Sequence, residues 1–357
     1  LKLTLLPTAL LAATLALVAC GGGGGSGSDS SVVTPPPSGI AYGANEIVYG
    51  FPDSTGSTFS VAEYKPGGTQ TVLASGLSTS ILLFTQIPGK SNSFVIAADL
   101  AGKNVFGIYD STGLSTANTT TVVPAIYSYV SSMTVSSDGA NLVYTATLAS
   151  DPTQTSYLFT LPLAGGLPKQ LDYGDGSTLS PADNDTIAYV ASPGGSANFD
   201  QVFTRSLSAG VSGKATQVTT DSINHILPAY NRQGTELAYW ESSSNNALML
   251  QAVGSTAAPV VLGNLPNQVV PQGESFSADG SQVAIAGDAG GMGEILTQAA
   301  SAGSSPTVLY TNSGALLGNY GVYWTDGNGK VLMRSMMPTA ARRRTGLPFL
   351  AAKHAGR

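Results

Sequence analysis

One cysteine, two histidines and few charges are all that this chain of 357 residues offers to the commonest kinds of chemistry. The lone Cys20 rules out an intramolecular disulfide in any redox compartment. With so few histidines, no Cys/His pairs stand at zinc-ligand spacing. A Ser-His-Asp hydrolase would need His225 or His354, and no Gly-x-Ser-x-Gly elbow occurs. His225, in the stretch SINHILPAY, reads as a structural histidine in a strand or its approach. Gly21–Gly25 is no phosphate loop, because no strand precedes it and no Lys follows at the right spacing. Asp183-Asn184-Asp185 and Asp326-Gly327-Asn328 resemble fragments of calcium loops but lack the downstream bidentate Glu. No catalytic constellation, metal site or cofactor is therefore expected.

Charged residues are 10% of the chain, against about 25% in ordinary globular proteins. They are unevenly placed. Seven of the 15 Lys and Arg lie in residues 330–357, which hold no Asp or Glu. Residues 1–329 then carry 8 positive and 21 negative groups, a net of −13. So acidic a body repels phosphate backbones, and nucleic acid is excluded as a partner. After residue 40 no segment has the periodicity of an amphipathic helix.

What the chain does have begins with LKLTLLPTALLAATLALVAC. Leu3 to Ala19 is uncharged and long enough to approach a membrane span. Its end, Leu17-Val18-Ala19-Cys20, resembles the lipobox of bacterial lipoproteins. That resemblance implies a signal peptide over residues 1–19, cleavage before Cys20 and acylation of Cys20. Acyl chains in pairs anchor stably, each buried methylene contributing about 0.8 kcal/mol. Gly21 stands where Asp is associated in that family with inner-membrane retention, so the resemblance points to the outer membrane, facing the periplasm. Residues 20–39 then form a tether, with Gly and Ser flexible and Pro35-Pro36-Pro37 stiff.

From residue 40 the chain repeats one phrase: SSDGANLVY at 136–144, SPADNDTIAY at 180–189, FSADGSQVAI at 276–285. The last β-former of each phrase gives the series Tyr49, Ile96, Tyr144, Tyr189, Tyr239, Ile285 and Met333, at gaps of 47, 48, 45, 50, 46 and 48. In each unit a short strand meets a polar turn. A second apolar strand follows, then an alternating third (58–65, 105–111, 156–163, 201–207, 247–253, 294–300) and a fourth (69–75, 119–125, 168–173, 215–220, 258–263, 306–311). Four strands in about 45 residues make one propeller blade. The expectation is an all-β propeller of four-stranded antiparallel blades over residues 40–336. Seven markers predict seven blades, with six blades and extra C-terminal strands as the alternative. Asp138-Gly139, Gly234 and Asp279-Gly280 are read as turn residues, since such pairs accept the positive φ of a tight hairpin.

The same phrases resemble the TolB-like, WD-repeat-like blades of bacterial envelope proteins, built on Ser-Pro-Asp-Gly, a spacer and Ile-Ala-Tyr. The matches are Ser137-Asp138-Gly139 with Leu142-Val143-Tyr144, Ser180-Pro181 with Ile187-Ala188-Tyr189, Gly234 with Leu237-Ala238-Tyr239, and Ala278-Asp279-Gly280 with Val283-Ala284-Ile285. Residues 182–185 and 231–234 depart from Asp-Gly, which leaves those two turns open. Aromatics before the turns, Tyr230, Phe276 and Trp324, suit packing between blades or the lining of a ligand funnel. Residues 337–357 share no grammar with the rest and are expected to form a poorly ordered basic tail.

Together these readings predict a lipid-anchored envelope protein. Its propeller is a non-catalytic module that binds or scaffolds an envelope protein or peptide. The alternative is a propeller enzyme, a glycan lyase or hydrolase, with channel carboxylates as acid and base.

Overall fold

The computed structural model describes residues 44–326 with short interruptions, the longest of them at 313–321, 101–105 and 194–198. Cys20, the lipobox residues Leu17, Val18 and Ala19, the tether, Met333 and the basic tail lie outside the described residues.

The described chain is almost wholly strand. β1 (Ala44–Pro52), β2 (Thr58–Tyr64) and β3 (Gln70–Ser78) make a meander. β4 (Ile81–Gln86), β5 (Ser93–Ala98), β6 (Phe106–Thr112) and the first half of β7 (Thr119–Val135) follow. The second half of β7 opens the next blade with β8 (Asn141–Leu148), β9 (Ser156–Pro162) and β10 (Lys169–Tyr173). Then come β11 (Asp175–Leu179), β12 (Thr186–Ala191), β13 (Gln201–Ser206) and β14 (Thr216–Gln217). β15 (Asn224–Tyr230), β16 (Glu236–Ser242), β17 (Ala247–Ala252) and β18 (Val260–Asn264) form a fifth blade. β19 (Val269–Phe276), β20 (Gln282–Ala289), β21 (Met292–Ala299) and β22 (Thr307–Asn312) form a sixth. β23 (Val322–Asp326) returns to pair antiparallel with β1.

The described residues therefore build six four-stranded blades, not the seven that the markers first predict. Tyr49, Ile96, Tyr144, Tyr189, Tyr239 and Ile285 each stand in a second strand. The opening strand of the seventh unit is β23. It starts no new blade, because it is the missing inner strand of the first, with the sheet order β23-β1-β2-β3. Closing the ring this way pairs an inner-strand edge that would otherwise stand open.

Packing confirms the closure. Among the described residues six apolar clusters occur, each shared by two neighbouring blades. Strand alternation explains the sharing, since successive side chains point to opposite faces. Val48 packs toward Phe84 and Ile96 of the second blade, while Ile47 and Tyr49 pack toward Ala284 and Ile295 of the sixth. Each fully buried aliphatic or aromatic side chain contributes about 1.5–3 kcal/mol, so blade-to-blade contact dominates the stability of the ring. Tyr230 and Phe276 belong to these clusters, between the fourth and fifth and between the fifth and sixth blades. They are packing residues.

One outer strand is shorter than its pattern. Residues 215–220 give only Thr216–Gln217. The Thr219 hydroxyl accepts the Val202 N–H at 2.9 Å, so a side chain replaces the next ladder bond.

Candidate functional site

The two ends of the ring differ in construction. One end carries the hairpins that join inner to second strands. In the third blade the Ser136 N–H bonds the Asn141 carbonyl, and the Gly139 N–H bonds the Ser136 carbonyl, both at 2.8 Å. The Ser136 hydroxyl donates to Asp138, whose Oδ1 also accepts the Ala140 N–H. The sixth blade repeats this with Ser277, Asp279 and Gly280. Gly139 and Gly280 have φ of 72° and 74°. The two departures from Asp-Gly reach the same conformation by other means. In the fourth blade Asn184 takes the left-handed position at φ 54°, and Asp183 Oδ1 accepts the N–H groups of Asp185 and Thr186. In the fifth, Asn231 Oδ1 accepts the N–H groups of Thr235 and Glu236, and Gly234 has φ 66°. These hairpins also touch one another. Asn184 accepts two hydrogen bonds from Ser137, and a Cβ on Gly234 would stand 2.6 Å from that of Ala182. Asp138, Gly139, Gly234, Asp279 and Gly280 thus lie in hairpin turns at one end of the blades, with the carboxylates of Asp138 and Asp279 used locally. Asp183 and Asp185 are used the same way, Asp185 by Ser206 and Ser208.

The opposite end carries the second-to-third-strand connections and the crossings between blades. Here polar side chains converge from the third, fourth and fifth blades. A bulge between Val130 and Ser132 in β7 turns two consecutive serines toward Thr145. Asp175, at the start of β11, accepts from the hydroxyls of Ser131 and Thr145 and from the Gly176 N–H. Ser132 bonds both the hydroxyl and the N–H of Ser177. Across the fourth blade lies Asp200, whose carboxyl is pushed above the ordinary carboxylate range by burial and then by the charge of Asp175.

The fifth blade is tied to the same place by its backbone. The His225 N–H bonds the Asp200 carbonyl, and the Asp200 N–H bonds Asn224 Oδ1, each at 2.8 Å. His225 Nε2 lies 2.8 Å from Asp221 Oδ1. A carboxylate is an acceptor, so Nε2 carries the proton. The imidazole meets Tyr239 edge-on, with centroids 5.2 Å apart. Gln201 donates to the Ile223 carbonyl at 2.7 Å. Two buried acceptors remain without a donor, His225 Nδ1 and Gln201 Oε1.

The arrangement offers two interacting carboxylates, a carboxylate-held imidazole and unspent acceptors. No group of three His, Cys, Asp or Glu side chains able to hold a metal ion occurs among the described residues. Among them, too, no helix is long and apolar enough to cross a membrane.

No family profile matches the chain, and no curated protein matches it in sequence. Solved structures do match it. TolB from Acinetobacter baumannii is similar at a TM-score of 0.59 and 15% identity, over 80% of this chain and 67% of that one. A TolB described as putative, from Agrobacterium tumefaciens, gives 0.53 and 13%, over 83% and 99%. The chain has a β-propeller fold similar to those of the two TolB structures. The same propeller architecture extends to an oligogalacturonate lyase from Vibrio parahaemolyticus, at 0.51 and 12% over 85% and 92%. At such identities the likeness concerns the fold alone, and it is shared by a protein named for a lyase activity.

In this propeller the loop-end residues are those that motif reading passes over. Asp175, Asp200 and Asp221 stand 21 to 25 positions apart in connections of no fixed grammar. The fourth blade brings Asp175 and Asp200 to one end, and its junction with the fifth blade adds Asp221. The available signal is positional: each is an acid just before or just after a predicted strand, at the end away from the hairpins.

Proposed function

We propose that this protein is a bacterial envelope lipoprotein, held at a membrane through acylated Cys20, whose propeller binds or scaffolds a partner protein or peptide. The observation that carries the binding half is the division of labour between the two ends of the ring. The Asp and Asn side chains of the hairpins are spent within and between those turns. The loop end gathers side chains from three blades and leaves Gln201 and His225 with unspent acceptors. A rigid disc with one open, polar end suits docking, because ordering costs little on binding. Support for the anchor comes from the lipobox at Leu17-Val18-Ala19-Cys20 and the Gly/Ser tether after it. The outer membrane, with the domain in the periplasm, is the proposed address.

Metabolic labelling with a fatty acid and membrane fractionation test the anchor. Wild-type protein should carry label and sediment with membranes, and Cys20→Ser should lose both. A Cys20→Ser protein that still carries acyl chains overturns the anchor.

A second reading has one observation in its favour, the Asp200 carboxyl raised by burial and by the charge of Asp175. A glycan lyase or hydrolase needs two carboxyl groups of unlike protonation. Asp200, held toward its protonated form, would serve as the acid and Asp175 as the base. Turnover of an acidic oligosaccharide that disappears in Asp200→Asn would establish it.

A further inference from the structure

The chain enters and leaves the ring at one place. Ala44, at the start of β1, is the register partner of Asp326, at the end of β23. The other blades have the hairpin from inner to second strand at that point. In the first blade the segment before Ala44 and the segment after Asp326 therefore both depart from the hairpin end. The second of these segments holds seven Lys and Arg and no Asp or Glu.

The turns from third to outer strands share that end. Backbone bonds place them beside the hairpins: the Leu163 N–H bonds the Ala140 carbonyl, and the Leu207 N–H bonds that of Asp185, each at 2.8 Å. These two turns hold the most exposed large apolar side chains among the described residues, Leu167 at 83% and Val211 at 73%. A lysine stands close to each in the chain, Lys169 and Lys214, both exposed. The buried Arg205 ties the two turns together. It donates to the Leu171 carbonyl of β10 and to the Gly210 and Gly213 carbonyls on either side of Val211. An exposed Leu alone is ordinary. Here two apolar tips, each with a lysine, project from a bonded framework at the end where a basic segment leaves. The rest of that end offsets its acids with Lys65, Lys90 and Arg232. The loop end is unlike it. Asp151, Asp175, Asp200, Asp221 and Glu241 stand there with no Lys or Arg among the described residues, so an anionic surface repels it.

Resting on the envelope address and not on the acyl chain, we propose that the hairpin end of the third and fourth blades lies against an anionic phospholipid surface. Leu167 and Val211 enter the head-group boundary, Lys169 and Lys214 meet lipid phosphates, and the basic segment that leaves at Asp326 spreads on the same surface. Apolar side chains beside basic ones are the combination that holds proteins at a membrane interface. The loop end is thereby turned away from the bilayer and left open to a partner.

The test uses residues 20–357 with Cys20→Ser, which hold the whole closed ring and can carry no acyl chain. Sedimentation is measured with vesicles of phosphatidylcholine and of its equal mixture with phosphatidylglycerol. The mixed vesicles should bind the protein and the neutral ones should not. Binding should fall as salt takes the Debye length below about 10 Å. Leu167→Ser with Val211→Ser, both side chains being exposed, should weaken it about tenfold. Arg342→Gln, Arg343→Gln and Arg344→Gln together should weaken it about a hundredfold, as the loss of three basic residues near an anionic surface requires. Ile126→Ser, exposed at the loop end where its carbonyl accepts the Ala149 N–H, should leave it unchanged. The same chain, free of other thiols, takes a polarity-sensitive dye at Val211→Cys or at Ile126→Cys, and only the first should shift to the blue on mixed vesicles. No sedimentation with mixed vesicles overturns the proposal. So does undiminished affinity in either multiple variant, or a dye response at Ile126→Cys as large as that at Val211→Cys. The anchor is judged separately. Fatty-acid label on Cys20 in cells with no lipid binding here sinks this proposal alone, and lipid binding here with no such label sinks the anchor alone.

Discussion

The Asn184 side chain accepts hydrogen bonds from both the N–H and the hydroxyl of Ser137, each at 2.7 Å, and so ties the hairpin of the fourth blade to that of the third. Asn184 is also the residue that takes the left-handed conformation which Gly takes in the neighbouring hairpins. The two roles separate by substitution. Asn184→Gly keeps the backbone and loses the tie, at a cost of about 1–2 kcal/mol. Asn184→Ala loses the same tie and, unlike Gly, keeps a Cβ in the left-handed region without the amide that lets Asn tolerate it, about 1 kcal/mol more. Urea denaturation of the three proteins should rank them in that order.

Gly234 and Gly280 occupy the same hairpin position with φ of 66° and 74°, but their surroundings differ. A Cβ at Gly234 would lie 2.7 Å from Ser180 Oγ and 2.6 Å from Ala182 Cβ, whereas at Gly280 the nearest atom is Gln233 Oε1 at 3.5 Å. Both Ala substitutions carry the left-handed penalty of about 1–2 kcal/mol. Gly234→Ala adds overpacking of about 1–3 kcal/mol. Its midpoint should fall clearly below that of Gly280→Ala, again by denaturant titration.

Asp279 is held down to about 2 by the Ser277 hydroxyl first, then by the N–H and hydroxyl of Ser281. A carboxyl lowered from 3.8 in the folded state stabilises the fold above that value, and the contribution is lost as pH falls toward 2. Asp138 is lowered in the same sense, by Ser136 first. Asp200 has the opposite sign. Burial and Asp175 raise it, so stability is lost as pH rises from 3.8 up to its folded value, where the unfolded chain is already ionised and the folded one is not. Stability measured against pH should lose acid-side slope in Asp279→Asn and lose the countervailing term in Asp200→Asn.

Arg205 has four acceptors, Asp172 and the carbonyls of Leu171, Gly210 and Gly213. Asp172 also accepts from the Tyr189 hydroxyl at 2.7 Å. Arg205→Met strips a buried cation from all of them and should cost about 3–5 kcal/mol. Arg205→Lys, with one compact head group, cannot reach both sides of that set and should recover only part of the loss. Thermal unfolding of the two variants gives the comparison.

Much of the ring was legible in the sequence. Third strands such as 156–163 and 201–207 agree with β9 and β13 within a residue or two at each end, because alternation over a half-buried face leaves a period of two in the residues. The markers favour seven blades and leave six as the alternative, because periodicity reports strands and not their partners; the described residues build six. β23 has the look of an opening strand, and only its pairing with β1 shows that it completes a blade already begun. The hairpins at 182–185 and 231–234 were unreadable by motif, since Asn184 and Asn231 achieve with one amide side chain what Ser136 and Asp138 achieve together. The loop-end site was illegible for a deeper reason. Asp175 and Asp200 interact because two connections in one blade converge, and His225 joins them through a backbone bond from the next blade. No spacing rule encodes that meeting.

The most direct measurement places a photo-crosslinking residue at Asp221 or at Asp138 in full-length, membrane-anchored protein and irradiates native envelopes. If the loop end is the docking face, Asp221 yields a discrete crosslinked protein, and Asp138 yields none. Crosslinks from Asp138 with none from Asp221 would contradict it.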